Sequence, residues 1–168
     1  DAPSETTADW RHATVRWALL TLLFVAVAAA LFIRQLAPDR VLLPADALFT
    51  FAPYQHAAER LGVAYPENPL VADTILQNFG WKQFASEQWH RGHPPLWNPH
   101  ILAGQPFLAA GQNASLYPLG AIFYLAPLAD AYEIFAVLHF TLAGLFTAGF
   151  IRSLGGGWLG AAIGGLTL

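Results

Sequence analysis

Asp73, Gln77 and Trp81 recur at four-residue spacing in the segment Asp73-Thr-Ile-Leu-Gln-Asn-Phe-Gly-Trp81. On a helix that spacing puts all three on one face. A carboxylate within reach of a hydroxyl can take its proton, and a carboxamide beside it can hold a second hydroxyl. An indole in the same row offers an apolar platform with a polar edge. Together they place a base, an amide and an aromatic face in one row. An ordinary alternative stays open for Asp73, because Asp is a favoured helix N-cap. Asp46, soon after Pro44, is a second acid, and a cap or turn residue is its plain reading.

Four cations flank these acids: Arg34, Arg40, Lys82 and Arg91. A cation can hold an anionic group of a ligand, and Arg40 and Arg91 are the preferred candidates. Snorkelling at a membrane surface is the plain alternative for each. Trp97 and Asn98 sit in Pro95-Leu-Trp-Asn-Pro99, where two prolines stiffen the backbone on either side. They and Tyr117 could line a sugar site, although for Trp97 packing in a structural corner is favoured. His90, His93 and His100 suggest a metal, yet Gly92 and Pro94 interrupt any helix that would align the first two. Zinc spacing is not met, and no metal ligands are assigned. Asn113-Ala-Ser115 matches a glycosylation acceptor, a common pattern of low weight. His139, in mid-span, reads as a neutral imidazole bonding a neighbouring helix.

The elements that must position these groups are apolar. The chain is 55% hydrophobic and 14% aromatic, and only 11% charged, against roughly 25% charged in an ordinary soluble domain. That balance indicates a membrane protein. Net charge is −3 with no basic run, so nucleic-acid binding has no electrostatic footing. With no cysteine, disulfides and thiolate metal sites are excluded. The chain starts without Met and stops inside a hydrophobic run, so we read it as a piece of a longer protein.

Residues 1–10 read as a polar, disordered cytoplasmic tail, and 11–37 as the first transmembrane helix around the apolar run from Trp17 to Ile33. Ala28-Ala-Ala30 after Arg11 and Arg16 also resembles a signal-peptide end, but the run continues through Leu31-Phe-Ile33, which favours an anchor. Residues 38–115 form a large loop. Within it a helix is expected over Pro53–Leu61, stopped by Gly62, and Tyr65–Pro69 is irregular. A second helix is expected from Thr74 to Trp89, with Ile75, Leu76, Phe79 and Phe84 as its buried stripe. From Gly92 to Gln112 ordered turns are expected. Residues 116–129, broken by Pro118 and Pro127, suit a re-entrant or interfacial helix. A second transmembrane helix follows over 130–152, and the start of a third over 156–168, whose glycines invite close packing. Asp130 and Glu133 at one end of the second span and Arg152 at the other put the loop outside.

Beyond single residues, Asn68-Pro-Leu70, Asp73, Gln77, Trp81, Gly92, Pro95-Leu-Trp-Asn-Pro99, Gly104-Gln-Pro106, Gln112 and Tyr117-Pro118 form a series. Spread over residues 17–168, it resembles the YfhO-like family of bacterial membrane proteins, a branch of the GT-C glycosyltransferase superfamily. The resemblance implies an α-helical polytopic membrane protein of GT-C type, with the active site on the first large extracytoplasmic loop. It further implies an inner-membrane enzyme that moves a sugar from a polyprenyl-phosphate donor to a glycan or other cell-envelope acceptor, among membrane lipids. By this resemblance Asp73 is the catalytic base, Asp46 is the runner-up, and Gln77, Trp81, Arg40, Arg91, Trp97 and Asn98 contact substrate. Mg²⁺ or Mn²⁺ on carboxylates, as in many relatives, is compatible with it. The competing expectation is a non-catalytic polytopic protein, a scaffold or a component that binds lipid or cell wall.

Overall fold

The computed structural model describes residues 5–34, 37, 40–63 and 68–167, with side chains from residue 10 onward. The chain divides into two compact units, residues 1–40 with 133–168, and residues 41–132. It is mostly helical, and two helices are long and apolar enough to cross a membrane.

The first unit contains α1 (Glu5–Leu31), the greater part of α5 (Leu128–Ser153) and α6 (Trp158–Leu166). Runs of Leu, Ala, Val and Phe without an internal proline let α1 and α5 propagate, and each helix satisfies its own backbone. Hydroxyls inside the runs turn back on their own helix: Thr21 Oγ1 donates to the Trp17 carbonyl at 2.9 Å, and Thr141 Oγ1 to that of Val137 at 2.8 Å. At about 1.5 Å per residue, the 26 residues of α5 exceed the roughly 30 Å of a bilayer's hydrocarbon. Only 17% of the most apolar window of each long helix is buried within the chain. A soluble core helix would be mostly covered, so these surfaces face something other than this chain.

Phe24 organises the contact between helices. It is 3% exposed and packs with Leu20, Ala148 and Ala161 inside a ring of Trp17, Leu145 and Trp158. A methyl at Gly144 would come within 2.9 Å of the Phe24 ring, so only glycine lets α5 approach this closely. Phe24 meets Gly144, and Phe32 meets Phe140 with ring centroids 5.5 Å apart, so α1 and α5 run antiparallel. Residues 5–10, expected as a disordered tail, belong to α1 instead. No Gly or Pro separates them from the apolar run, so nothing stops the helix there. Residues 1–4 of that expected tail lie outside the described residues.

The second unit, Val41–Tyr132, is built from short pieces. A 3₁₀ helix (Ala45–Thr50) and α2 (Gln55–Leu61) come first. A 3₁₀ turn (Pro69–Val71) and a π-helical turn (Thr74–Asn78) lead into α3 (Phe79–His90). Then β1 (Trp97–Asn98) pairs antiparallel with β2 (Gln105–Pro106), Trp97 opposite Pro106 and Asn98 opposite Gln105. Further 3₁₀ turns at Leu108–Ala110 and Pro118–Ala121 precede α4 (Ile122–Leu125). The core is Phe84, Ala85 and Phe107, with Trp81 and Tyr124 packed against it. Phe84 and Phe107 meet edge to face at 5.0 Å, the favoured arrangement of two aromatic quadrupoles.

Three expectations change here. The continuous helix from Thr74 is α-helical only from Phe79, because its first turn is widened to a π turn. Leu76 is therefore 43% exposed, while Lys82 and Ala85 are buried. Residues 116–129 are a 3₁₀ turn and four residues of α4, packed on α3 through the buried Phe123, rather than one interfacial helix. Pro118 sets the start and Pro127 forbids a longer run. Residues 64–67, most of the irregular Tyr65–Pro69 stretch, lie outside the described residues.

Candidate functional site

Lys82 carries the one buried ammonium among the described residues of the second unit. It is 6% exposed, donates to the Asn113 carbonyl at 2.9 Å, and lies 4.8 Å from the Phe123 ring centroid. Burial lowers its pKa from the usual lysine value, since desolvation disfavours the charged form. Its acceptor sits in a tight polar turn. Asn113 Oδ1 accepts from the Ser115 N–H at 3.0 Å and from Ser115 Oγ at 2.6 Å, and Asn113 Nδ2 donates to the Phe107 carbonyl. Tyr124 Oη then donates to the Ser115 carbonyl at 2.9 Å. This network ties α3 to α4 and fills the buried polar valences that the unit would otherwise leave unmet. It also takes Asn113, 3% exposed, out of reach as a glycan acceptor.

An open cleft of about 330 Å³ runs along the outer face of α3. One wall is polar: Gln83, Ser86, Glu87, His90 and Arg91 follow the helical repeat. The other wall is apolar, formed by Phe123, Ala126 and Leu128. Gln83 Nε2 donates to Glu87 at 3.2 Å, and Arg91 stands 4.0 Å from the same carboxylate. Both partners of that ion pair are about half exposed or more, so it adds little stability. His90 Nδ1 lies 2.8 Å from the Ser86 carbonyl oxygen. A carbonyl only accepts, so Nδ1 carries the proton and Nε2 is left as the acceptor. Ser86 Oγ is 3.3 Å from the same Nδ1 and gains no base from it, which removes Ser86 as a His90-activated nucleophile.

The residues singled out from sequence fall in different settings. Asp73 is exposed at the start of the π turn, and its carboxylate makes no cap hydrogen bond. Gln77 is exposed on that turn. Trp81, past the turn, is half-buried edge-on to Phe107, and its Nε1–H is buried without a hydrogen-bond partner among the described residues. Asp46 lies in the first turn of the Ala45–Thr50 helix, which packs on the Thr74–Asn78 turn, so the two candidate acids belong to adjoining elements. Arg91 lines the cleft, whereas Arg40 belongs to the first unit and is exposed.

Trp97 is 54% exposed, not core. The corner turns Pro95 and Asn98 inward, and the Asn98 Oδ1 accepts from the His100 N–H at 2.9 Å. The Trp97 ring lies over Gly104, where φ is +111 and a methyl would sit 2.7 Å from the indole. Both the backbone and the ring require glycine there. His139, within α5, donates from Nδ1 to the Phe135 carbonyl of its own helix at 2.7 Å.

Lys82 was the residue least visible in advance. Its signal is its place in the same helical repeat as the half-buried Phe79 and the buried Ala85, where a cation needs a partner. The polar row 83, 86, 87, 90 and 91 was readable as periodicity, but not the wall that faces it. No group of three or more His, Cys, Asp or Glu that could hold a metal occurs among the described residues. Comparisons with family models, with curated proteins and with solved structures return no match to this chain.

Proposed function

We propose that the chain is the N-terminal part of a GT-C-type membrane glycosyltransferase that moves a sugar from a polyprenyl-phosphate donor to a cell-envelope acceptor. The observation that carries the reading is Asp73: an exposed carboxylate at the head of a helix that the fold does not use as a cap. It opens a π turn, an irregularity found disproportionately at functional sites. The acceptor hydroxyl gives its proton to Asp73 as its oxygen attacks the anomeric carbon. The bond to the lipid phosphate breaks, configuration inverts, and the phosphate leaves with the bonding electron pair. Two helices long and apolar enough to span a bilayer support the membrane setting that such a donor demands.

The test is Asp73→Asn in the full-length protein. It should insert and fold normally, yet transfer should fall by about 10²–10⁴-fold, since an amide cannot accept the proton. Asp46→Asn should cost less. Undiminished transfer in Asp73→Asn removes Asp73 as base. Absence of any transfer from a polyprenyl-phosphate sugar by the unaltered protein leaves the non-catalytic, envelope-binding reading.

A further inference from the structure

Two guanidinium groups converge on one indole in the first unit. The Arg152 Cζ lies 4.4 Å and the Arg16 Cζ 5.4 Å from the Trp158 ring centroid, and Trp17 packs edge-on to the same ring at 5.4 Å. Arg16 comes from α1, Arg152 from the last turn of α5, and Trp158 from the first turn of α6. Arg152 is anchored by one N–H, which donates to the Gly156 carbonyl at 2.6 Å. A guanidinium has five N–H groups, so most of its donors stay available. Neither arginine makes an ion pair among the described residues. The only carboxylate among this unit's described side chains is Glu133, near the other end of α5. Two like charges thus meet the same indole, with no ion-pair partner for either among the described residues.

We propose that the Arg16–Trp158–Arg152 cluster binds the phosphate of an anionic membrane phospholipid. A guanidinium fork matches phosphate oxygens in geometry as well as charge, and the cluster offers one from each arginine at its indole contact. Basic pockets between spanning helices hold acidic headgroups, and Trp favours the depth at which those headgroups lie. The apolar surroundings choose a lipid over a soluble phosphate. Leu19 is one turn from Arg16, Leu154 follows Arg152 and Leu159 follows Trp158, and they are 60%, 71% and 75% exposed. Acyl chains of a bound lipid would cover that surface. This site is separate from the proposed transfer reaction and does not depend on it.

The experiment titrates the purified, delipidated chain in neutral detergent with phosphatidylglycerol or with phosphatidylcholine of the same acyl chains. Bound lipid is counted by native mass spectrometry. Phosphatidylglycerol should be retained at about tenfold lower concentration than phosphatidylcholine. Arg16→Gln and Arg152→Gln should each weaken it about fivefold, the weight of one cation near an anionic headgroup. Phosphatidylcholine retention should not change, nor should either lipid in Arg60→Gln, a charge removed from the other unit. Soluble glycerol phosphate at millimolar concentration should fail to displace the lipid. Equal retention of the two lipids overturns the proposal, as does unchanged retention in Arg16→Gln, and displacement by glycerol phosphate makes the cluster a soluble-anion site instead. If Arg152→Gln unfolds for want of its Gly156 bond, Arg16→Gln decides alone, because Arg16 is exposed.

Discussion

The Lys82 ammonium donates to the Asn113 carbonyl at 2.9 Å across 31 positions of sequence, closing the loop between α3 and the turn before α4. The contact makes a charged residue part of the interior of the second unit, where its other neighbour is the Phe123 ring. That ring also lines the cleft on α3, so the buried cation and the open cleft share one wall.

Lys82 should give stability a distinctive pH dependence. Its folded-state pKa is lowered by burial from 10.5. Between that lowered value and 10.5 the unfolded chain binds a proton that the folded chain has released, so stability rises with pH over this window. The penalty is fully present below the lowered value and gone above 10.5. Thermal melts of the unaltered protein and of Lys82→Met, taken at intervals up to pH 10.5, should show the gap moving in favour of the unaltered protein as pH rises. Parallel curves would mean that the ammonium is hydrated.

Phe107 and Trp97 should differ sharply on truncation. Phe107 is 1% exposed and touches Phe84 and Trp81, so Phe107→Ala should cost about 3–5 kcal/mol. Trp97 is half exposed, so Trp97→Ala should cost no more than about 1 kcal/mol. Denaturant titrations in detergent separate the two, and equal losses would return Trp97 to the core.

Asp73→Ala should leave stability within about 0.5 kcal/mol of the unaltered protein, because no cap hydrogen bond is lost. A working Asp cap would cost about 0.5–2 kcal/mol. The melting temperature decides this without any substrate, and a clear drop would make Asp73 structural.

Gly144→Ala should loosen α1 from α5 by about 1–3 kcal/mol, since the added methyl overlaps the Phe24 ring. The loss should shrink when combined with Phe24→Ala, which vacates the space. A double-mutant cycle on thermal stability should give a coupling of about 0.5–3 kcal/mol, and additive losses would mean that the two residues do not meet.

The chain contains no cysteine, so single cysteines report sidedness cleanly. With Asp130 and Glu133 at one end of α5 and Arg152 at the other, the positive-inside tendency predicts an external position for residues 41–132. Cysteine at Ala109 should react with a membrane-impermeant thiol reagent in intact cells, and cysteine at Ser153 should not. The reverse pattern inverts the topology.

The long helices were legible in the residues themselves. From Trp10 to Leu31 and from Leu128 to Ser153, apolar side chains without a breaker satisfy every backbone group locally, so no distant partner has to be known. The α2 stop at Gly62 and the breaks at Pro118 and Pro127 were equally local, since they follow from φ and a missing N–H. Asp73 and the other site residues could be named from type and spacing, but not their relative placement. One π turn, between Asp73 and Trp81, changes the face each residue presents, and no propensity foretells it. Lys82 entered the interior because the Asn113 carbonyl waits there, and Trp97 stayed outside because Pro95 and Asn98 took the inward positions. The wall opposite the polar row of α3 comes from Phe123, Ala126 and Leu128. Periodicity marks a face, but what covers that face comes from residues far along the chain, and only tertiary packing selects them.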